Sequence, residues 1–287
     1  MKTPLAILAT SFLAVGAVAF TQDAVTFSRT FAKGTTDKYT VSMKMNTVTD
    51  LSAFGQPNME LLMDVTNIAE YTYKDVDEKG TATLDILYKD MKVKVEGPMA
   101  DMMGGAPEVP STMKGTAKMD KHGVLSEFKM AQEAASNPMM AMMGGQQSMD
   151  SLSMFALPKE GVKVGEEFKV EFPKMPMFKS ADVKAKVIGS EVYSEKEAWK
   201  LTYDGTLMMD MDLSEMMKDA PDTGMPQMNM RMEGTTKMIM TVLIEKANGR
   251  VLSIESVSNS DAKVNMVDMG MSLPVKTDVI TSFKLVK

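Results

Sequence analysis

Methionine is the residue type in this chain whose abundance and spacing could do chemistry. The sequence holds 34 methionines beside no cysteine and a single histidine. Many stand in close sets, such as Met139, Met140, Met142 and Met143, or Met208, Met209 and Met211. A thioether sulfur is a soft ligand that suits Cu(I), and an exported chain without thiols would have to use methionine for it. Met225, Met228, Met230 and Met232 form the candidate copper set.

The same side chain has a second use. It is unbranched and polarizable, fills irregular apolar space and makes adaptable contact surfaces. On that reading a hydrophobic ligand or partner is held by Met-rich loops. Met99, Met102 and Met103 lie in the first of these, between Gly97 and Pro110. Met139, Met140, Met142 and Met143 lie in a connector, and Met208, Met209, Met216 and Met217 in a loop running to Met232. Met-Met-Gly-Gly occurs at 102–105 and again at 142–145, joining a pliable apolar side chain to a mobile backbone, which suits a lid over an apolar groove. Exposed apolar loops cost solubility and are usually explained by what they cover. A third reading takes the methionines as packing and composition bias alone. The binding reading needs no cofactor, and the alternative needs copper.

Catalysis of the common nucleophilic kinds has little to work with. There is no cysteine nucleophile, and His122 sits in a turn, Asp120-Lys121-His122-Gly123, where a solvated side chain is the plain reading. A Ser-His-Asp site needs an imidazole gripped by a carboxylate. Zinc or iron sites built on His and Cys need two or three such ligands. Asp and Glu stand where solvent-facing strand positions need them, with no pair marked out as in glycoside hydrolysis. The chain is therefore expected not to be an enzyme. Its net charge is −6 and its charges are interspersed, so nucleic acid is not an expected partner.

The elements that must position these residues begin after a targeting segment. Lys2, the apolar run Leu5 to Val18 and the small-residue site Ala17-Val18-Ala19 read as a signal peptide over 1–19. The mature chain is expected to be exported, periplasmic or secreted, and soluble, with no transmembrane segment. It carries no cysteine for a lipid anchor or a disulfide.

Period-two alternation then dominates. Val25 to Phe31 reads as a first strand, and Lys38 to Val48 alternates Tyr39, Val41, Met43 and Met45 against Lys38, Thr40, Ser42 and Lys44. Met59 to Tyr73 and Thr81 to Val95 form a hairpin, as do Ala181 to Tyr193 and Ala198 to Tyr203. Asn248-Gly249 between two alternating runs is a strong hairpin signal. Further strands are expected at Ser260–Met269 and Leu273–Val286.

One stretch occurs twice. Met113-Lys114-Gly115-Thr116-Ala117-Lys118-Met119 returns as Met232-Glu233-Gly234-Thr235-Thr236-Lys237-Met238, each followed by a turn and another strand. This points to a tandem duplication: a first β-rich repeat over 20–130, a Met-rich connector over 131–153 and a second repeat over 154–287. The expected fold is all-β, with antiparallel, hairpin-rich curved sheets, Met-rich loops and at most a short connecting helix.

The run Pro158-Lys159-Glu160-Gly161-Val162-Lys163-Val164-Gly165-Glu166-Glu167-Phe168, with the later Asn248-Gly249-Arg250-Val251 hairpin, resembles exported bacterial β-rich proteins of unknown function. Among these are proteins near the lipoprotein-carrier type of half-barrel. The resemblance covers mainly the second half and implies a curved antiparallel sheet able to hold an acyl chain. It assigns no functional residue. The methionine sets also look locally like copper-handling segments of bacterial periplasmic proteins. The leading expectation is an exported, non-catalytic binder of a lipid or other apolar partner. Copper handling and a structural role stand as alternatives.

Overall fold

A computed structural model describes residues 24–102, 110–131, 157–170, 178–214 and 229–286. The signal segment and the connector lie outside these residues. So do Met103, Met139, Met140, Met142, Met143, Met216, Met217, Met225, Met228 and the side chain of Met102.

Among the described residues the alternation becomes eleven strands: β1 (Thr36–Thr49), β2 (Met59–Val76), β3 (Ala82–Glu96), β4 (Thr112–Met119), β5 (Leu125–Met130), β6 (Glu167–Lys169), β7 (Phe178–Tyr193), β8 (Lys196–Asp212), β9 (Met230–Glu245), β10 (Val251–Met266) and β11 (Met271–Leu285). Among the described residues the α-helix is α1, Pro98–Met102. It occupies the start of the first expected Met-rich loop.

All eleven strands join one curved, unclosed antiparallel sheet, in the order β5-β4-β3-β2-β1-β11-β10-β9-β8-β7-β6. The expected antiparallel, hairpin-rich curved architecture takes the form of one continuous sheet. Each half of the chain is a meander, and the two meanders fuse where β1 pairs β11 from Tyr39↔Leu285 to Thr49↔Val275. The edge strands β5 and β6 are short, which limits the unpaired backbone that an open sheet leaves exposed.

One face of the sheet carries the core. On β2 the inward set Leu61, Met63, Val65, Asn67, Ala69, Tyr71 and Tyr73 is buried throughout. On β9 it is Thr236, Met238, Met240, Val242 and Ile244. Met43 and Met45 share that face on β1 but are only half-buried. The repeated stretch falls on β4 and β9 in the same phase, with Gly115 and Gly234, and Met119 and Met238, all facing inward. A Cβ on Gly234 would fall on Asp261 O and Ala262 Cα of β10, so hydrogen here permits close strand contact.

Three local expectations change. Val25–Phe31 is not a strand of the sheet. Only Val25 forms a bridge, to Val162, and the rest is a strap across the strand ends. The Arg29 N–H donates to Lys121 O at 2.7 Å and the Thr30 N–H to Asn248 O at 2.8 Å. A segment crossing turns meets their carbonyls and not a strand edge. Second, the expected loop from Met208 to Met232 is shorter, because β8 runs on to Asp212 and β9 begins at Met230. Third, no strand begins at Ser260, because β10 runs unbroken from Val251 to Met266.

Candidate binding trough

The burial of the inward face is uneven, and its less buried strip on the central strands is the candidate trough. On the central strands, inward residues stay half-buried: Val41, Met43 and Met45 on β1, Val279 and Thr281 on β11, Ser256 and Ser258 on β10. They lie in register, with Met43↔Thr281↔Ser256 forming one rung and Met45↔Val279↔Ser258 the next. The flanking strands on either side, β2 with Met63 and Val65 and β9 with Met238 and Met240, are buried at the same rungs. The half-buried strip is the floor of the candidate trough, and the buried strands on either side are its walls. From Val41 to Thr47 the floor runs about 20 Å at about 3.4 Å per residue.

One end of the trough is shut by an aromatic plug. Tyr39 stacks on Phe283 with centroids 4.2 Å apart and meets Tyr71 edge-on at 5.7 Å. All three rings are buried. Behind the plug, the strap is fastened by charge. Arg29 is buried, donates to Tyr73 Oη at 3.1 Å and to Met119 Sδ at 2.9 Å, and lies 3.8 Å from Asp37. Tyr73 in turn donates to Asp37 Oδ2. Asp37 Oδ1 accepts from Arg250, which also donates twice to Glu245 Oε2.

The protonation states suit a lock. Burial opposes the charge of Arg29, but Tyr73, Tyr39 and Asp37 around it outweigh that and raise its pKa. Burial pushes the phenols of Tyr39 and Tyr73 up, so both stay protonated and donate. Tyr39 Oη donates to Val251 O at 3.1 Å. Every charge in this cluster has a partner, and its role is to hold the strap, β1 and the β9–β10 turn together.

At the far end of this floor a hydroxyl rung crosses four strands. Thr47 and Thr277 lie 3.1 Å apart, and Thr236 and Ser260 2.8 Å apart, with Thr277 and Ser260 facing each other in register. Beyond it the inward face turns to methionine. Met209 and Met211 of β8, Met230 and Met232 of β9, Met266 of β10 and Met271 of β11 share one face and one end. Met211 is opposite Met232, and Met230–Met266–Met271 is a continuous row.

The structure therefore brings together Met209, Met230 and Met232 of the expected site residues. It does not add Met208, which points to the opposite face, or Met99, which sits on α1 beside β2 and β3. Met230 and Met232 are strand residues and not loop ligands. Sequence reading missed Met266 and Met271, although both stand in the apolar phase of their strands. His122 is in the expected turn but half-buried, with a buried Nδ1 that has no hydrogen-bond partner among the described residues. No group of three His, Asp or Glu side chains among the described residues could hold a metal ion. No helix among them is long and apolar enough to cross a membrane.

Asn67 is the other residue that sequence reading passed over. It occupies the apolar phase of β2 between Val65 and Ala69, opposite Val41, and is 8% exposed. Its Oδ1 has no hydrogen-bond partner among the described residues. A buried polar group left unpartnered costs about 1–3 kcal/mol.

No known protein family and no curated protein matches this chain. Among solved structures it is similar to lipovitellin, in a structure concerned with lipid–protein interactions. The TM-score is 0.47 and the identity 11%, over 90% of this chain and 25% of that one. The chain thus spans about a quarter of that protein's length. A likeness at this level does not bear on function.

Proposed function

We propose that this protein is an exported, non-catalytic carrier or sensor that holds a long-chain apolar ligand in the trough of its sheet. The observation that supports this is the half-buried floor of β1, β11 and β10 between buried walls. A floor of that kind in a chain of this size leaves core-type side chains uncovered, which a ligand chain would cover. Each buried methylene contributes about 0.8 kcal/mol, so a ten-carbon chain gives about 8 kcal/mol before the costs of association. Association costs of at least about 4 kcal/mol leave millimolar binding for ten carbons, and each further pair of methylenes tightens it about tenfold or more. The methionine end adds a surface that adapts to chains of different shape.

Native mass spectrometry of protein purified from its own exported fraction tests this directly. A bound mass of several hundred daltons that extracts into organic solvent supports the reading. Bare protein that also fails to take up an apolar fluorophore such as N-phenyl-1-naphthylamine overturns it.

Copper handling is a second reading, favoured by the convergence of Met211, Met230, Met232, Met266 and Met271 on one face. Thioethers on adjacent strands could share one Cu(I). Replacing Met211, Met230, Met232, Met266 and Met271 together by Leu separates the two. Apolar binding should tolerate the change, whereas Cu(I) binding, read by competition with a chromogenic chelator, should be lost.

A further inference from the structure

Asn67 sits where the aromatic plug gives way to the open floor. On one side along β2 are Ala69 and Tyr71, sealed against Tyr39 and Phe283. On the other is Val65, in register with Met43 at the start of the half-buried floor. The opposite strand β3 bulges beside it, between Lys89 and Lys92, where Asp90 takes a φ of 53°. The bulge brings Met91 back to the buried inward face, and Asn67 has Val41 as its partner across on β1. Its oxygen is left without a protein donor among the described residues.

We propose that Asn67 receives the polar head of a single-chain amphiphile whose tail runs from there along Met43 and Met45 toward the methionine end. This rests on the trough reading above and specifies what the trough takes. The plug excludes a tail on the Tyr71 side, so the deep end of the ligand is its head. The head must carry an O–H or N–H for the carboxamide oxygen: a hydroxyl, an amide or a protonated carboxyl. It must also be uncharged. The nearest inward charges, Arg29 and Asp37, already partner each other behind the plug, and an isolated buried charge is strongly disfavoured. A pure hydrocarbon would fill the floor but leave the amide unpartnered.

Displacement of N-phenyl-1-naphthylamine from the full mature chain tests this, with 1-decanol and 1-chlorodecane as competitors of equal chain length. The wild type should prefer 1-decanol by about tenfold, the ordinary worth of one buried hydrogen bond. Asn67→Leu, of similar size, should bind the fluorophore normally and discriminate less than about twofold. Equal displacement by both compounds in the wild type overturns the assignment while leaving the trough reading intact. So does an unchanged preference in Asn67→Leu. Should that variant fail to fold, the wild-type comparison decides alone. A protein that takes up no fluorophore, or that excludes it by dimerising through this face in sedimentation, overturns both readings.

Discussion

Asp37 accepts a hydrogen bond from Arg250 at 3.1 Å, although the two residues are 213 positions apart. The contact ties the start of β1 to the turn between β9 and β10, and Arg29 brings the strap to the same carboxylate. Three segments distant in sequence thus close one end of the trough through one side chain. Removing its charge leaves buried Arg29 without an anion. Asp37→Asn should cost about 3–5 kcal/mol and lower the melting temperature on the order of 10 °C, read by circular dichroism. Lys33→Ala, which breaks the exposed pair with Asp75, should leave the melting temperature nearly unchanged.

The same lock should weaken in acid. Burial by itself would raise the pKa of Glu245, but the hydrogen bonds and charge of Arg250, with Lys196, overcome it and the net shift is downward. A carboxylate with a depressed folded pKa stabilises above its unfolded value and loses that contribution as pH falls through the folded one. Glu245→Gln should therefore melt below the wild type at pH 7. The gap should narrow only once pH falls below the ordinary glutamate value of about 4.3. A gap that stays the same size as pH falls through the acid range would show that Glu245 acts through packing and not charge.

Much of this fold was legible because each strand carries its own phase. Tyr39, Val41, Met43 and Met45 announce β1, and the Asn248-Gly249 turn announces the hairpin of β9 and β10. The extension of β8 was misread, although Leu207, Met209 and Met211 alternate with Met208, Asp210 and Asp212. Methionine occupies both phases there, so apolar character stops marking the inside. The pairing of β1 with β11 has no local signature, since it joins the two ends of the chain. The lock has none either, because Arg29, Asp37 and Arg250 meet only after that pairing forms. Asn67 was visible in principle as the one polar residue in the apolar phase of Leu61 to Tyr73. What it does there depends on the floor beside it, which only the sheet reveals.

Gly249 in the β9–β10 turn should be more sensitive to substitution than Gly270 in the β10–β11 turn. Its φ is +68°, in the left-handed region, and a Cβ there would fall on Ser28 O of the strap. Gly249→Ala combines backbone strain with displacement of the strap, at a cost of about 1–3 kcal/mol. Gly270 has a similar φ of +62° but open space around it, so Gly270→Ala should cost only the strain. Thermal melts of the two variants should differ, with Gly249→Ala the lower. Equal melts would mean that the strap contributes little.

Adjacent residues on β11 give the sharpest test of which face binds. Val279 is half-buried on the floor, opposite Met45 and Ser258, while Ile280 points to the other face and is 54% exposed. Both are β-branched, both stand in the middle of a central strand, and either can be changed to Asp with the same gain of charge. Val279→Asp places a carboxylate against the ligand chain, where desolvating it is costly, and should weaken fluorophore binding about tenfold or more. Ile280→Asp replaces an exposed apolar group with a solvated one and should leave binding unchanged. Circular dichroism of both variants checks that the sheet persists, since Asp is disfavoured in strands at either position. If Ile280→Asp abolishes binding and Val279→Asp does not, the ligand lies on the outer face, along the exposed row of Ile280, Val257 and Ile239 that crosses three neighbouring strands. The period of two in a β-strand thus turns one pair of substitutions into a decision between the two faces.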